Sequence, residues 1–186
     1  MPTPSLRRAL LIGSLGFALV SFIVFASVAF AERWMYVNLT VLGAYLAWTA
    51  LFILLGGAVL GSLVVGRWRL PKFYILFGAA FFAYAVGWVA AYFIFRGALG
   101  EWLGSLIGSV LMALVFALGF KAVRRIQIFS AVLFVGNSLG YFVGSMLNDL
   151  LGGRTGMLLW GVAYGLFLGA GLGIVLDLAQ KQPSTD

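Results

Sequence analysis

Between Val135 and Asp149 the chain reads VGNSLGYFVGSMLND, an apolar stretch carrying two rows of side chains at four-residue steps. One row is Gly136, Gly140 and Gly144; the other is Asn137, Tyr141, Ser145 and Asp149, with Ser138 and Asn148 beside it. A helix turns by about 100° per residue, so a four-residue step drifts by about 40° and each row forms a stripe next to the other. Apart from Asp149, these amides, hydroxyls and the phenol exchange hydrogen bonds without changing charge near neutrality, which suits binding rather than bond making. Facing lipid, such a stripe would leave donors and acceptors unpaired in hydrocarbon. It must therefore face protein, water or a ligand.

Other apolar segments offer partners for it. Tyr84, Trp88 and Tyr92 follow one another in four-residue steps; Tyr45 with Trp48, and Trp160 with Tyr164, lie in two further segments, and Ser105 and Ser109 in another. Planar walls with a few amides and hydroxyls suit a small, partly apolar solute, and aromatic faces also hold cations. The same Asn and Ser residues can equally bond helix to helix, at about 0.6–2 kcal/mol each. Asp149 and Arg154 read as a loop ion pair or cap.

The chain contains neither cysteine nor histidine. Disulfides are excluded, and zinc, haem and iron–sulfur centres lose their usual ligands. So are a Ser–His pair, a cysteine nucleophile and a histidine shuttle. No catalytic residue, metal or cofactor is expected, and the chain does not read as an enzyme.

Of 186 residues 63% are hydrophobic and only 9% charged, too few charges to cover a soluble domain. Apolar runs place six spans near residues 9–31, 39–65, 73–95, 103–120, 126–147 and 157–176, each able to cross about 30 Å of hydrocarbon. The expected fold is an all-α integral membrane protein, a single domain of residues 1–186 built as a compact bundle of six transmembrane helices. Short connections make consecutive helices antiparallel neighbours. Arg7, Arg8, Arg67, Arg69, Lys72, Lys121, Arg124, Arg125 and Lys181 fall on one side of these spans; Arg33, Arg96 and Arg154 fall on the other. The richer side should be cytoplasmic, with both termini there. That placement accounts for the net charge of +7 without nucleic acid. Trp34, Tyr36, Trp102 and Trp160 flank the outer ends, and Trp68 and Tyr74 the inner ones. Arg7, Arg8 and Ala29-Phe30-Ala31 imitate a signal peptide, but the run of about 23 residues exceeds the usual h-region of roughly 7–15. The expected location is the inner membrane of a prokaryote.

Twenty-five glycines fall largely in four-residue steps. Gly161, Gly165, Gly169 and Gly173 line the sixth span; Gly100, Gly104 and Gly108 begin the fourth. Small stripes let helix backbones approach closely, within one chain or against another subunit or a second copy. The carboxyl half loosely echoes the middle: Gly66, Phe77 and Gly87 can be laid over Gly119, Phe129 and Gly140 with gaps.

The architecture, with six short-looped spans, both ends inside and about 190 residues, looks like that of the substrate-binding subunits of energy-coupling-factor importers. The resemblance implies cytoplasmic ATPases and a membrane partner, because this chain has no nucleotide-binding loop. The expected function is a small-solute transport component with its pocket among spans two to six, in the outer half. The alternative is a non-catalytic accessory or scaffold subunit assembled through the glycine faces. The expected partners are the lipid bilayer, other membrane subunits or a homo-oligomer, and a small solute.

Overall fold

A computed structural model describes residues 5–66 and 69–181, so Arg67 and Trp68 lie outside the described residues. The described chain is helical nearly throughout and contains no strand. It begins with α1 (Leu6–Leu11), a π-helical turn (Ile12–Gly16) and α2 (Phe17–Gly61). Then come α3 (Arg69–Phe95), α4 (Gly97–Gly119), a short 3-10 turn (Val123–Arg125), α5 (Ile126–Leu151) and α6 (Gly153–Gln180). Among the described residues five helical runs are long and apolar enough to cross a membrane, which makes this a membrane-embedded, multi-pass protein.

The first run, Leu6–Gly61, is 56 residues long. As one straight helix it would measure about 84 Å, far more than a bilayer. It reverses at Thr40, whose φ of 63° and ψ of 172° are not helical. A leading arm (residues 6–39) and a returning arm (residues 41–61) then lie side by side. Phe17 stacks on Phe52 at 5.8 Å between centroids, and Tyr36 meets Trp48 edge-on at 5.9 Å. The loop expected between the first two spans is therefore absent: helix runs through Glu32 to Leu39, and one residue makes the turn. The Thr40 hydroxyl caps the returning arm by accepting from the Gly43 amide at 3.5 Å.

The same device recurs. Arg96 (φ 52°, ψ 164°) joins α3 to α4, and Gly152 (φ 64°, ψ 174°) joins α5 to α6. The Arg96 amide donates to Tyr92 O while its carbonyl accepts from Gly100; Gly152 does the same between Asn148 and Gly156. One residue thus donates to the helix before it and accepts from the helix after it, with no linker between them. This is why helices run to Leu151 and from Gly153 and Gly97, past the expected span ends.

Thr40, Arg96 and Gly152 are spaced 56 residues apart, and burial follows the same period. Phe17, Phe73 and Phe129 are all buried, as are Leu60, Phe116 and Leu172. The chain is three helical hairpins in series, in a different register from the loose echo in the sequence.

The hairpins close into a ring. The returning arm packs on α3, α4 on α5, and α6 returns to the leading arm. In that last seam Gly161 lies on Phe25, Gly165 on Ala18, Gly169 on Gly13 and Gly173 on Ala9. The π-helical turn sets Gly13 there, with its neighbour Ser14 donating to Leu166 O at 3.1 Å. The α6 glycine row is covered by the chain's own first arm. At the end carrying the termini, Gln180 bonds Leu63 O and the Val65 amide, and the buried Asp177 pairs with Lys181 at 2.6 Å. Leu15, Leu19, Val37, Leu42, Ile75 and Ile94 point outward, consistent with lipid contact.

Positive φ at a non-glycine residue costs of order 1–3 kcal/mol. Arg96→Gly is expected to stabilise the protein by about 1 kcal/mol, the relieved strain less glycine's extra freedom when unfolded. Gly152→Val is expected to destabilise it by about 1–3 kcal/mol. Unfolding in mild detergent, followed by circular dichroism, reads both; identical midpoints would exclude strain at these turns.

Candidate functional site: an aromatic cup at the turn end

Inside the ring, between its middle and the end bearing the three reversals, lies a cavity of about 380 Å³. Its walls follow from helix periodicity. Trp88 and Tyr92 are one turn apart on α3 and stack at 5.3 Å; Trp160 and Tyr164 are one turn apart on α6. Tyr45 and Trp48 come from the returning arm, and Tyr141 reaches in from α5 to meet Trp88 and Trp160 at 5.5 and 5.4 Å. Phe52, Phe81 and Tyr84 form the floor.

Glycines make room for these rings. A side chain at Gly104 would run into Trp88, one at Gly108 into Tyr84, one at Gly140 into the Tyr164 backbone and one at Gly144 into Trp160. Gly100 lies against the Tyr92 backbone and Gly136 against Phe167 O. Each row thus lets an aromatic helix approach to contact distance and swing its rings toward the centre.

Below the floor the ring is filled. Phe52 and Phe81 are 5.1 Å apart, Phe81 and Phe77 5.7 Å, and Phe17 leans on both Phe52 and Phe81. Beside this plug runs a buried polar chain through four helices. Tyr84 OH donates to Asn137 Oδ1 at 2.7 Å and lies 2.8 Å from Tyr164 OH. Asn137 Nδ2 donates to Ser105 Oγ at 2.8 Å, and Ser105 meets Ser138 at 2.7 Å. Because Tyr84 spends its only proton on Asn137, Tyr164 must donate to Tyr84.

Of the residues singled out in the sequence, Tyr45, Trp48, Tyr84, Trp88, Tyr92, Tyr141, Trp160 and Tyr164 line the cup. Asn137 and Ser138 do not; they brace its floor from behind. Ser145, Asn148 and Asp149 are outside it, since a stripe drifting about 40° per step has rotated away by the end of α5. The expected ion pair between Asp149 and Arg154 is replaced: Arg154 sits over the Phe30 ring, 4.9 Å from its centroid. Among the described residues the single ion pair within 4.0 Å is Asp177–Lys181.

The leading arm was missed as a wall. Val24, Phe25, Val28, Glu32 and Tyr36 line the cup from it. Their three- and four-residue spacing was a readable signal, obscured by placing Glu32 and Tyr36 in a loop. The indole N–H groups of Trp48, Trp88 and Trp160 are buried without a hydrogen-bond partner.

No protein-family model, curated protein or solved structure matches this chain.

Asn137→Leu removes the amide that bridges Tyr84 to Ser105, leaving Tyr84 only Tyr164 and Ser105 only Ser138 on a buried surface, at a cost of about 1–3 kcal/mol. Tyr164→Phe removes one terminal donor and should cost less, about 0.5–1.5 kcal/mol. Denaturant unfolding of the two variants should show that order; the reverse would break the proposed direction of the hydrogen-bond chain.

Proposed function

We propose that this chain is a small-solute membrane transport component that holds its ligand in the aromatic cup, as the substrate-binding subunit of a multi-subunit importer. One observation carries the reading: a cavity large enough for a small molecule ends blindly on the Phe17, Phe52, Phe77 and Phe81 plug instead of continuing as a pore. A blind cup binds; it does not conduct.

Orientation follows from counting arms. The returning arm of 21 residues spans about 31 Å and the leading arm more, so each is long enough to cross separately. With six crossings both termini share one side, and the nine-to-three division of basic residues supports the cytoplasm for that side, as in the inner membrane of a prokaryote. The cup then opens toward the outer face. Releasing solute inward requires the ring to rearrange, and this chain carries no nucleotide-binding loop to drive it. Energy and motion would come from partner subunits, and the chain itself is non-catalytic.

An accessory or scaffold role is the competing reading. Its favoured contact, the α6 glycine row, is occupied by the leading arm. Gly165→Leu should therefore lower the yield of folded monomer, because the new side chain meets the Ala18 and Phe17 backbone.

Native mass spectrometry of the intact chain, gently extracted from its own host membrane, tests the proposal. A small molecule should accompany the wild type and be lost from Trp88→Ala, which opens one wall while leaving the floor network intact. A stoichiometric protein partner with no bound small molecule would favour the accessory role instead.

A further inference from the structure

Resting on the ligand-cup reading, we infer the charge class of the ligand: a compact organic cation, an ammonium group on an apolar body. Three features converge on this.

The lining contains one charged side chain, Glu32, and no lysine or arginine. Among the described residues no basic group lies within 4.0 Å of the Glu32 carboxylate, which is exposed at the mouth with the Tyr36 hydroxyl beside it, so no cation of the chain neutralises its charge. It stands about two turns before the Thr40 reversal, on the mouth side of the floor residues.

The walls are aromatic on every contributing helix. A ring presents negative potential from its face, and the cup closes Trp48, Trp88, Tyr92, Tyr141 and Trp160 around one space with few polar atoms to compete. A carboxylate ligand would meet these faces and Glu32 with nothing to neutralise it.

Two lining hydroxyls are left with lone pairs only. Tyr164 has committed its proton to Tyr84, leaving its lone pairs. Thr49 has committed its own to Tyr45 O at 2.8 Å. The indole donors of Trp48, Trp88 and Trp160 are shielded, each nitrogen exposing less than 1 Å². An ammonium N–H therefore finds acceptor lone pairs here; the phenols of Tyr36, Tyr45, Tyr92 and Tyr141 can donate as well as accept, so Glu32 and the aromatic rings are what disfavour an anion. Trp48 itself is only 9% exposed, so this is a built wall rather than a surface cluster.

Three probes of nearly one shape separate the possibilities: phenethylammonium, 2-phenylethanol and 3-phenylpropanoate. Each is titrated into the full chain in nanodiscs, with empty nanodiscs as blank, and read by tryptophan fluorescence. Phenethylammonium should quench saturably and bind at least about tenfold more tightly than the alcohol, with no saturable response to the carboxylate. Glu32→Gln should weaken the cation by about threefold and leave the alcohol unchanged. If the alcohol or the carboxylate binds as tightly as the cation, the charge assignment falls and the cup survives as a binding site. Unaltered cation preference in Glu32→Gln overturns the role given to that carboxylate. If none of the three gives a saturable response while circular dichroism shows folded protein, the inference and the ligand-cup reading fall together.

Discussion

Water is absent from the interior of a bilayer, so a peptide N–H or C=O left unpaired there has nothing to turn to. That obligation keeps the chain helical between its junctions, and the exposed reversals at the turn end add almost no irregular backbone to it. An ordinary helix stops with four carbonyls unmet and the next starts with four amides unmet. Arg96 and Gly152 shrink that deficit by serving both helices at once, amide to the preceding one and carbonyl to the following one. The backbone angles this requires belong to glycine, yet two of the three positions are Thr and Arg. A one-residue connection has been kept at the expense of local strain. Because the turns consume so little chain, the helices stay long, and Glu32 and Tyr36 are carried into the wall instead of out into a loop.

The glycine rows and the aromatic cup are two aspects of one packing solution. Glycine on one helix lets the neighbouring backbone come close, and the displaced volume reappears as a ring projecting inward. Trp88 over Gly104 and Trp160 over Gly144 show it directly. Below the floor, where Gly56 receives Phe17 and Phe77, the same exchange fills the ring completely. Small residues thus decide where this interior is solid and where it is hollow.

Composition and hydropathy were enough to read an all-helical membrane protein, and the four-residue rows marked most of the wall. Asn137 was recognisable as special, though its place is behind the floor; nothing in its own spacing says which neighbour it will meet. The first arm was illegible for a physical reason. A stretch holding Glu32, Arg33 and Asn38 between two apolar runs has the composition of a loop, and a β-branched threonine advertises no left-handed turn. By contrast Gly152-Gly153 and Gly97 carry positive φ and could have been read as reversals. The repeat is not the loose echo of Gly66, Phe77 and Gly87 in Gly119, Phe129 and Gly140, which runs at 52 or 53 residues. It is held by the turns and by Phe17, Phe73 and Phe129.

The 56-residue period bears on what kind of molecule the cup can distinguish. Positions 32, 88 and 144 correspond across the three hairpins, and they hold a carboxylate, an indole and a bare backbone; 48, 104 and 160 hold indole, glycine, indole. Three separate copies of one hairpin would have to repeat every choice three times, giving three carboxylates or none at a given height. Joined in a single polypeptide, the hairpins keep the common scaffold while each height becomes lopsided. A lopsided chamber can tell one end of a guest from the other, which a threefold chamber cannot.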